Sequence, residues 1–235
     1  MTAQQVLTEL ESLGLPSIKK VLVNHGIKEP FYGVKIEELK KIQKKIKKDN
    51  PLALQLFDTG VYDAMYLAGL IADPEEMSKR DLQKWVEKAG QYPINEYTVA
   101  WVASESKWGE ELALEWIESK NPFIACSGWS TMASIAALKK DEDLNIPQLK
   151  KLMQRAAKDI PTAPNRVRYT MNGFVITVGS YVKELTEEAI KIGKSIGHIE
   201  IDMGNTSCKV PYPPDYIEKV KARGTIGKKR KTAMC

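Results

Sequence analysis

Apolar residues recur every three or four positions along nearly the whole chain, and this spacing places side chains on one face of an α-helix. Clear runs are Ile36, Leu39, Ile42 and Ile46; Leu82, Trp85, Val86 and Ala89; and Leu112, Trp116 and Ile117. Prolines interrupt the pattern at short intervals, at positions 51, 74, 93, 122, 147 and 164. Because proline disfavours a helical conformation in the residue before it, the pattern predicts an all-α protein built from short helices.

Comparable helix pairs return about every 35 to 45 residues, which is the period of HEAT-type repeats. Each such pair has an apolar face that it must bury against a neighbour. The period favours stacked helical hairpins, although the pattern alone leaves a generic helical bundle open. In either arrangement the predicted buried positions are Leu39, Ile42, Leu67, Trp85, Trp116 and Val178.

The pattern changes towards the C-terminus. Residues 167–181 keep helical spacing although the stretch 174–178 has strand-like composition, and we predict a helix there. After Gly197, apolar and acidic residues alternate over residues 199–203, as in a short extended segment. A last helix is predicted near residues 215–223, before the basic run Gly227-Lys-Lys-Arg-Lys231. We therefore predict a helical-repeat domain over 1–196 and a short irregular C-terminal appendage over 197–235, packed on or trailing it.

The composition argues against a membrane protein, a secreted protein and a disulfide-rich protein. The 235 residues carry a net charge of +5, a mild excess that favours polyanions only where it is clustered. No stretch approaches the roughly 18 to 20 apolar residues of a membrane span, and the first residues lack a secretory signal. The odd number of cysteines (Cys126, Cys208 and Cys235) and their wide spacing argue against a disulfide framework. We expect a monomeric cytoplasmic protein without a metal or other cofactor.

Several segments carry a resemblance to a known family. Phe31–Val34 leading into Leu39, Leu56-Phe57 and Tyr62–Ala68 resemble the opening repeats of the DNA alkylation repair family, the AlkD-like DNA glycosylases built from HEAT-like repeats. A weaker similarity extends through Ser119–Phe123 to the helix near Tyr169, so that it covers roughly residues 1 to 190. The resemblance implies an α-solenoid of HEAT-like hairpins whose groove binds double-stranded DNA and excises alkylated purines.

The catalytic positions of that family are not matched in this chain. The family has a Trp and, four residues later, an Asp on one helix face, and a downstream Arg and Trp complete the cleft. By their surroundings these positions fall near Glu96, Ala100, Cys126 and Gly173. No Asp occurs between residues 81 and 141, so Glu96 is the nearest acid and the candidate catalytic residue. If Ala100 faces an intact groove, Ala100→Asp is expected to raise base release.

Aromatic and polar residues nearby are candidates for contacts with DNA. Tyr97, Trp101 and Trp129 could stack on bases, and the alternative for each tryptophan is a place in a helical core. The resemblance places a second cluster beside the cleft, where arginine and amide groups bind phosphates or base edges and tyrosine stacks. Its members are Arg166, Arg168, Tyr169 and Asn172. The alternative for the arginines is an ion pair with a neighbouring repeat.

A lysine-rich helix provides a third candidate surface. Lys44, Lys45 and Lys48 surround the apolar stripe of residues 36–46. They are either phosphate contacts or an ordinary solvated helix face.

Two classes of function remain open. The first is an enzyme that cleaves the glycosidic bond of an alkylated purine, in which a carboxylate stabilises the sugar cation. The second is a non-catalytic helical-repeat scaffold that keeps the groove for nucleic acid or for a protein partner. The mismatches at Ala100 and Cys126 predict that any glycosylase activity is much lower than in relatives with the intact set.

Overall fold

The computed structural model describes residues 1–234, and Cys235 lies outside the described part. Residues 1–234 form helices joined by short turns and contain no strand, which confirms the all-α prediction. The α-helices in chain order are α1 (Ala3–Ser12), α2 (Pro16–Asn24), α3 (Ile36–Ile46), α4 (Asn50–Asp58), α5 (Tyr62–Ile71), α6 (Lys79–Ala89), α7 (Ala100–Glu105), α8 (Gly109–Ile117), α9 (Pro122–Leu138), α10 (Ile146–Asp159), α11 (Asn165–Tyr181), α12 (Thr186–Ile196) and α13 (Pro213–Ala222). A π-helical segment, Ile94–Val99, runs directly into α7, and short 3-10 turns span Asp141–Asp143 and Lys183–Leu185.

Several prolines that interrupt the apolar pattern stand at the beginnings of helices. Pro122 and Pro147 occupy first-turn positions in α9 and α10, where the missing N–H would have no partner in the helix. The asparagine before each of them caps the helix: Asn121 Oδ1 accepts a hydrogen bond from Phe123 N at 3.0 Å, and Asn145 Oδ1 from Gln148 N at 3.1 Å. At these two places the asparagine and the proline that interrupt the apolar pattern therefore mark the beginning of a helix.

The helices enclose two apolar cores that meet near α8 and α9. One core is formed mainly by α1 and α3 to α8, and the other mainly by α9 to α13. All six positions predicted to be buried are at most 2% exposed. Helix α9 lies centrally, in contact with α7, α8 and α11. Its approach to α8 is close enough that a β-carbon on Gly128 would lie 2.5 Å from Ile117 N.

The C-terminal residues cross the array and contact both cores. Helix α13 packs on α11 and α12, and residues 197–212 before it are irregular and form no strand. Beyond α13, Gly227 N donates to Ser180 O at 3.0 Å, and Arg230 N donates to Ala137 O at the end of α9 at 2.9 Å. Ala233, 1% exposed, then lies in the first core. The basic run is thus an ordered strap whose last described residues pack on the N-terminal half.

Within residues 1–234, no helix has the length and apolar character that crossing a bilayer requires.

Two helical glycines provide a matched test of this packing. Gly128→Ala should lower the free energy of unfolding by about 1 to 3 kcal/mol, because the new methyl group meets the α8 backbone, which cannot move aside. Gly173→Ala in α11 should be neutral or stabilising by up to about 1 kcal/mol, because its β-carbon meets nothing within 4 Å. Urea unfolding followed by circular dichroism measures both. Equal effects of the two substitutions would contradict the close α8–α9 contact.

Candidate functional site

The site is built on the π-helical segment Ile94–Val99. A π-turn adds a residue to the helix and changes the direction of the side chains that follow, and such turns are frequent at functional sites. Here it turns Glu96 inward, with 4% of the residue exposed, and leaves Tyr97 39% exposed. The segment is anchored to its neighbours by Asn95, whose Nδ2 donates to Val86 O and to Ser127 Oγ, both at 3.1 Å.

Glu96 forms a buried ion pair with Arg166 at the start of α11. Arg166 Nε donates to Glu96 Oε1 at 2.8 Å, and Nη2 donates to Oε2, so the contact is bidentate. The Glu96 side chain is 2% exposed and the Arg166 side chain is 15% exposed. Burial raises the pKa of the Glu96 carboxyl, and the hydrogen bonds and charge of Arg166 oppose that rise. Each carboxylate oxygen of Glu96 therefore accepts a hydrogen bond from Arg166, whose charge compensates that of the carboxylate.

Aromatic rings surround the guanidinium. The Arg166 Cζ lies 4.3 Å from the centroid of the Tyr169 ring and 5.9 Å from that of Tyr92. Burial, followed by the charge of Glu96, raises the pKa of the Tyr169 phenol. Tyr97 continues the aromatic surface, with its ring centroid 6.1 Å from that of Trp101. An arginine between rings on one side and a carboxylate on the other has little freedom to move.

A cavity of about 730 Å³ opens beside this pair. Its aromatic walls are Tyr62, Tyr92, Tyr97, Phe123 and Tyr169. The remaining wall and rim include His25 and Lys28, after α2, and Asp202, Cys208 and Lys209, after α12. The volume and the aromatic walls suit a flat ring, and the lysines would suit an anion at the mouth.

The segment 202–205 joins α11 to α2 across one side of the cavity. Asn165 Nδ2 donates to Asp202 O and Asp202 N donates to Asn165 Oδ1, both at 2.8 Å. At the other end Asn205 N donates to Asn24 O at 2.9 Å. Between them, Arg166 Nη1 donates to the Met203 sulfur at 3.2 Å. The cavity is thus bounded by residues from both ends of the chain.

Four residues singled out from the sequence lie together here: Glu96, Tyr97, Arg166 and Tyr169. Their pairing differs from the prediction, because the candidate catalytic acid neutralises a candidate phosphate ligand. For Arg166 the alternative, an ion pair with a neighbouring helix, is the observed arrangement.

Other candidates lie in the interior: the two tryptophans take the alternative left open for them, a place in the core, and Asn172 bonds to the backbone. Trp129 has no exposed surface and packs edge-on against Phe174, so its ring has no free face for a base. Trp101, 5% exposed, packs between Tyr66 and Tyr97. Asn172, 1% exposed, donates from Nδ2 to Pro211 O at 2.9 Å and so holds the chain before α13 instead of a base edge.

The remaining basic candidates do not line the cavity. Arg168 Nε is buried and makes no hydrogen bond within residues 1–234. On α3, Lys45 pairs with Glu9 at 2.7 Å, Lys48 donates to Ala72 O, and Lys44 is exposed. These three lysines belong to a separate surface.

Three residues that the sequence reasoning missed shape the site: Tyr92, Asn165 and Met203. Each lies next to a proline, a helix start or a turn, where hydrophobic periodicity carries no information. The alternation at residues 199–203 marked the right segment, although it forms no strand.

Two of the positions that fall near the family's catalytic residues, Ala100 and Cys126, contribute no charge. Ala100 and Cys126 are fully buried, and burial raises the pKa of the Cys126 thiol. Ala100 is therefore a core position, so the condition under which Ala100→Asp was expected to raise base release, a residue that faces the groove, is not met. Among residues 1–234, no three His, Cys, Asp or Glu side chains lie close enough together to bind a metal ion.

Comparison with known proteins shows the family and the fold to which this chain is similar. The family model for the DNA alkylation repair enzymes matches residues 6–208. Uncharacterized protein Lin0241 of Listeria innocua and Uncharacterized protein Lmo0209 of Listeria monocytogenes are each 35% identical to this chain over 229 residues, covering 95% of it and 99% of each relative. A solved structure, of a new family of proteins related to the HEAT-like repeat DNA glycosylases with affinity for branched DNA structures, is also 35% identical. It covers 100% of both chains with a TM-score of 0.92, which confirms the HEAT-like fold.

The buried pair can be tested by removing one charge. Arg166→Met should lower the free energy of unfolding by about 3 to 5 kcal/mol at neutral pH, because it leaves the Glu96 carboxylate buried without a partner. The deficit should shrink as the pH falls, since a protonated Glu96 has no charge to bury. Urea unfolding between pH 5 and 8 measures it.

Arg155→Met is the matched control, because the Arg155–Glu118 pair is also bidentate but its side chains are 36% and 65% exposed. Its loss should cost less than about 1 kcal/mol. The double variant Glu96→Gln/Arg166→Met should recover part of the stability lost in Arg166→Met. Similar losses for Arg155→Met and Arg166→Met would contradict the assignment of a desolvated pair.

Proposed function

Since this chain belongs to the DNA alkylation repair enzyme family, we propose that it is a DNA-binding helical-repeat protein that recognises branched DNA and is not an efficient base-excision enzyme. The observation that carries the proposal is the engagement of both Glu96 oxygens by Arg166, while the uncharged, buried Ala100 and Cys126 stand near two of the family's catalytic positions. The cavity offers aromatic walls to a ligand, and the carboxylate that would stabilise a sugar cation is neutralised. We further propose that the protein acts as a monomer in the cytoplasm.

The surroundings of the cavity support DNA as the ligand. Tyr97 presents an exposed ring beside the half-buried ring of Tyr169, and aromatic faces stack on bases of any sequence. Lys28 and Lys209 lie at the rim, where they can neutralise phosphates without entering the cavity. The related structure with affinity for branched DNA shares this fold over its whole length. Branched DNA differs from a duplex in offering unpaired or unstacked bases next to phosphates.

The absence of efficient excision follows from electrostatics. Excision of an alkylated purine passes through a cationic sugar, which a nearby carboxylate stabilises. The negative charge of Glu96 is directed at the Arg166 guanidinium, so the pair presents almost no net charge to a bound sugar. Losing one preorganised electrostatic group commonly costs on the order of 100 to 1,000-fold in rate.

Binding is predicted to prefer junctions and to weaken steeply with salt. Fluorescence anisotropy should show tighter binding to a three-way junction than to a linear duplex with the same arm sequence and length. Affinity for both should fall as salt rises, with a slope of about −0.9 per neutralised phosphate, because binding releases counterions. Equal affinity for the two DNAs would contradict branch recognition, and failure to bind either at low salt would favour a protein partner.

Two lysine pairs distinguish the surfaces that could carry the contact. Lys28→Ala/Lys209→Ala at the cavity rim should weaken binding and make the salt slope shallower by about two phosphate contacts. Lys44→Ala/Lys45→Ala on α3 removes the same charge from a surface outside the cavity and should have a smaller effect. If Lys44→Ala/Lys45→Ala weakened binding more than the rim pair, the result would indicate that α3 contacts the DNA.

Base release is predicted to be slow and not to be rescued by a new acid. Release of N7-methylguanine or N3-methyladenine from duplex DNA should stay near the uncatalysed rate. Ala100→Asp should destabilise the fold without raising the rate, because residue 100 is fully buried and an acid there has no partner. Chromatography of released bases and thermal unfolding measure the two effects. Rapid release that Glu96→Gln abolishes would overturn this assignment.

A further inference from the structure

Helix α2, Pro16–Asn24, is an amphipathic helix that buries none of its residues. It is fixed mainly near its ends: Leu15 N donates to Gly33 O at 3.0 Å, and Asn24 O accepts from Asn205 N at 2.9 Å. Neither of the two cores includes a residue of this helix. Its lack of buried side chains also makes it unusually suitable for mutagenesis.

Two valines protrude from this helix. Val21 is 48% exposed and Val23 is 59% exposed, among the largest exposures of apolar side chains in residues 1–234. Residues two apart in a helix point about 200° away from each other, so the valines lie on opposite flanks. Ile18 and Leu22 are half-buried between these flanks and face the protein. Helix α2 therefore protrudes as a ridge, Pro16–Asn24, with one exposed valine on each of its two sides.

The charge of the ridge is positive. Its sequence contains no acidic residue. Lys19 and Lys20 are exposed and form no ion pair within residues 1–234, and Lys28 follows beyond the helix. An apolar surface interleaved with lysines suits a ligand that presents apolar faces edged by phosphates.

The ridge is continuous with the site described above. Leu22 and His25 line the same cavity as Tyr97 and Tyr169. A DNA that places a base or a phosphate at the mouth of the cavity therefore passes along α2.

We propose that α2 is the element that recognises the branch point, an inference that rests on the proposed binding of branched DNA. At a branch the last base pair of each arm exposes a flat apolar face, and apolar side chains insert against such faces in many architectural DNA-binding proteins. Val21 and Val23 pack on the end pairs of two adjacent arms, one on each side of the ridge. Lys19 and Lys20 neutralise the phosphates of the strands that diverge there. Within a continuous duplex each internal base pair is stacked on both faces, and only a junction adds exposed faces at an internal branch, so the valines discriminate between the two DNAs.

The test compares Val21→Ser/Val23→Ser with Tyr216→Ser, which removes an apolar side chain of similar exposure, 48%, from α13. Affinities are measured by fluorescence anisotropy for a three-way junction and for the matched duplex. The valine variant should bind the junction about 10-fold more weakly, because two apolar contacts with base pairs are lost. Its affinity for the duplex should be unchanged. Tyr216→Ser should change neither affinity.

A spectroscopic readout separates direct stacking from an indirect effect. With 2-aminopurine at the branch, the wild-type protein should change its fluorescence, and the valine variant at saturating concentration should not. Lys19→Ala/Lys20→Ala should weaken binding to both DNAs and flatten the salt dependence, because it removes phosphate contacts alone. Circular dichroism and thermal unfolding confirm that the variants fold.

The outcomes distinguish this inference from the function on which it rests. A wild-type protein without junction preference contradicts the proposed function and the inference with it. A junction preference that survives Val21→Ser/Val23→Ser overturns the inference alone, as does an equal loss of affinity for both DNAs. Sedimentation velocity that shows the valine variant abolishing self-association would instead make the ridge a contact between two copies of the chain, and would also overturn it.

Discussion

The site depends on the buried ion pair between Glu96 and Arg166. Two charges taken out of water are stable only when each satisfies the other, and the bidentate geometry achieves this. The pair joins residues 70 positions apart, so it fixes the π-helical segment against the first turn of α11. The rings of Tyr92 and Tyr169 and the sulfur of Met203 are arranged around the guanidinium. This one contact therefore fixes one wall of the cavity.

The same contact supports the proposed lack of efficient excision in a chain with the HEAT-like fold. A carboxylate beside bound DNA repels the phosphates and can also stabilise a cationic sugar, and an arginine paired with it weakens both effects. The remaining aromatic surface then meets DNA without an unfavourable charge. This balance suits a protein that holds DNA of a particular shape and releases it unchanged.

The sequence predicted the helices well because the helical period is a local property, visible in runs such as Ile36 to Ile46. It predicted four of the residues that meet at the site, but not the partner of Glu96, because pairing across 70 residues leaves no local pattern. Trp129 and Asn172 show the opposite error, since a side chain suited to stacking or hydrogen bonding is equally suited to the interior. Helix α2 could not be singled out either: its amphipathic pattern resembles that of a buried helix, and only the structure shows that it buries none of its residues.

The C-terminal strap changes how such an array can come apart. Repeat proteins contact mainly their immediate neighbours, and they commonly lose structure from the ends inward. Here Ala233 lies in the first core and Asn205 is bonded to Asn24, so the far end of the chain is fastened to the near end. Detaching the last segment exposes part of both cores at once. The repeats therefore do not end in two independent termini, because the C-terminal residues contact the N-terminal helices. Local unfolding at either end is then coupled to unfolding of the whole molecule.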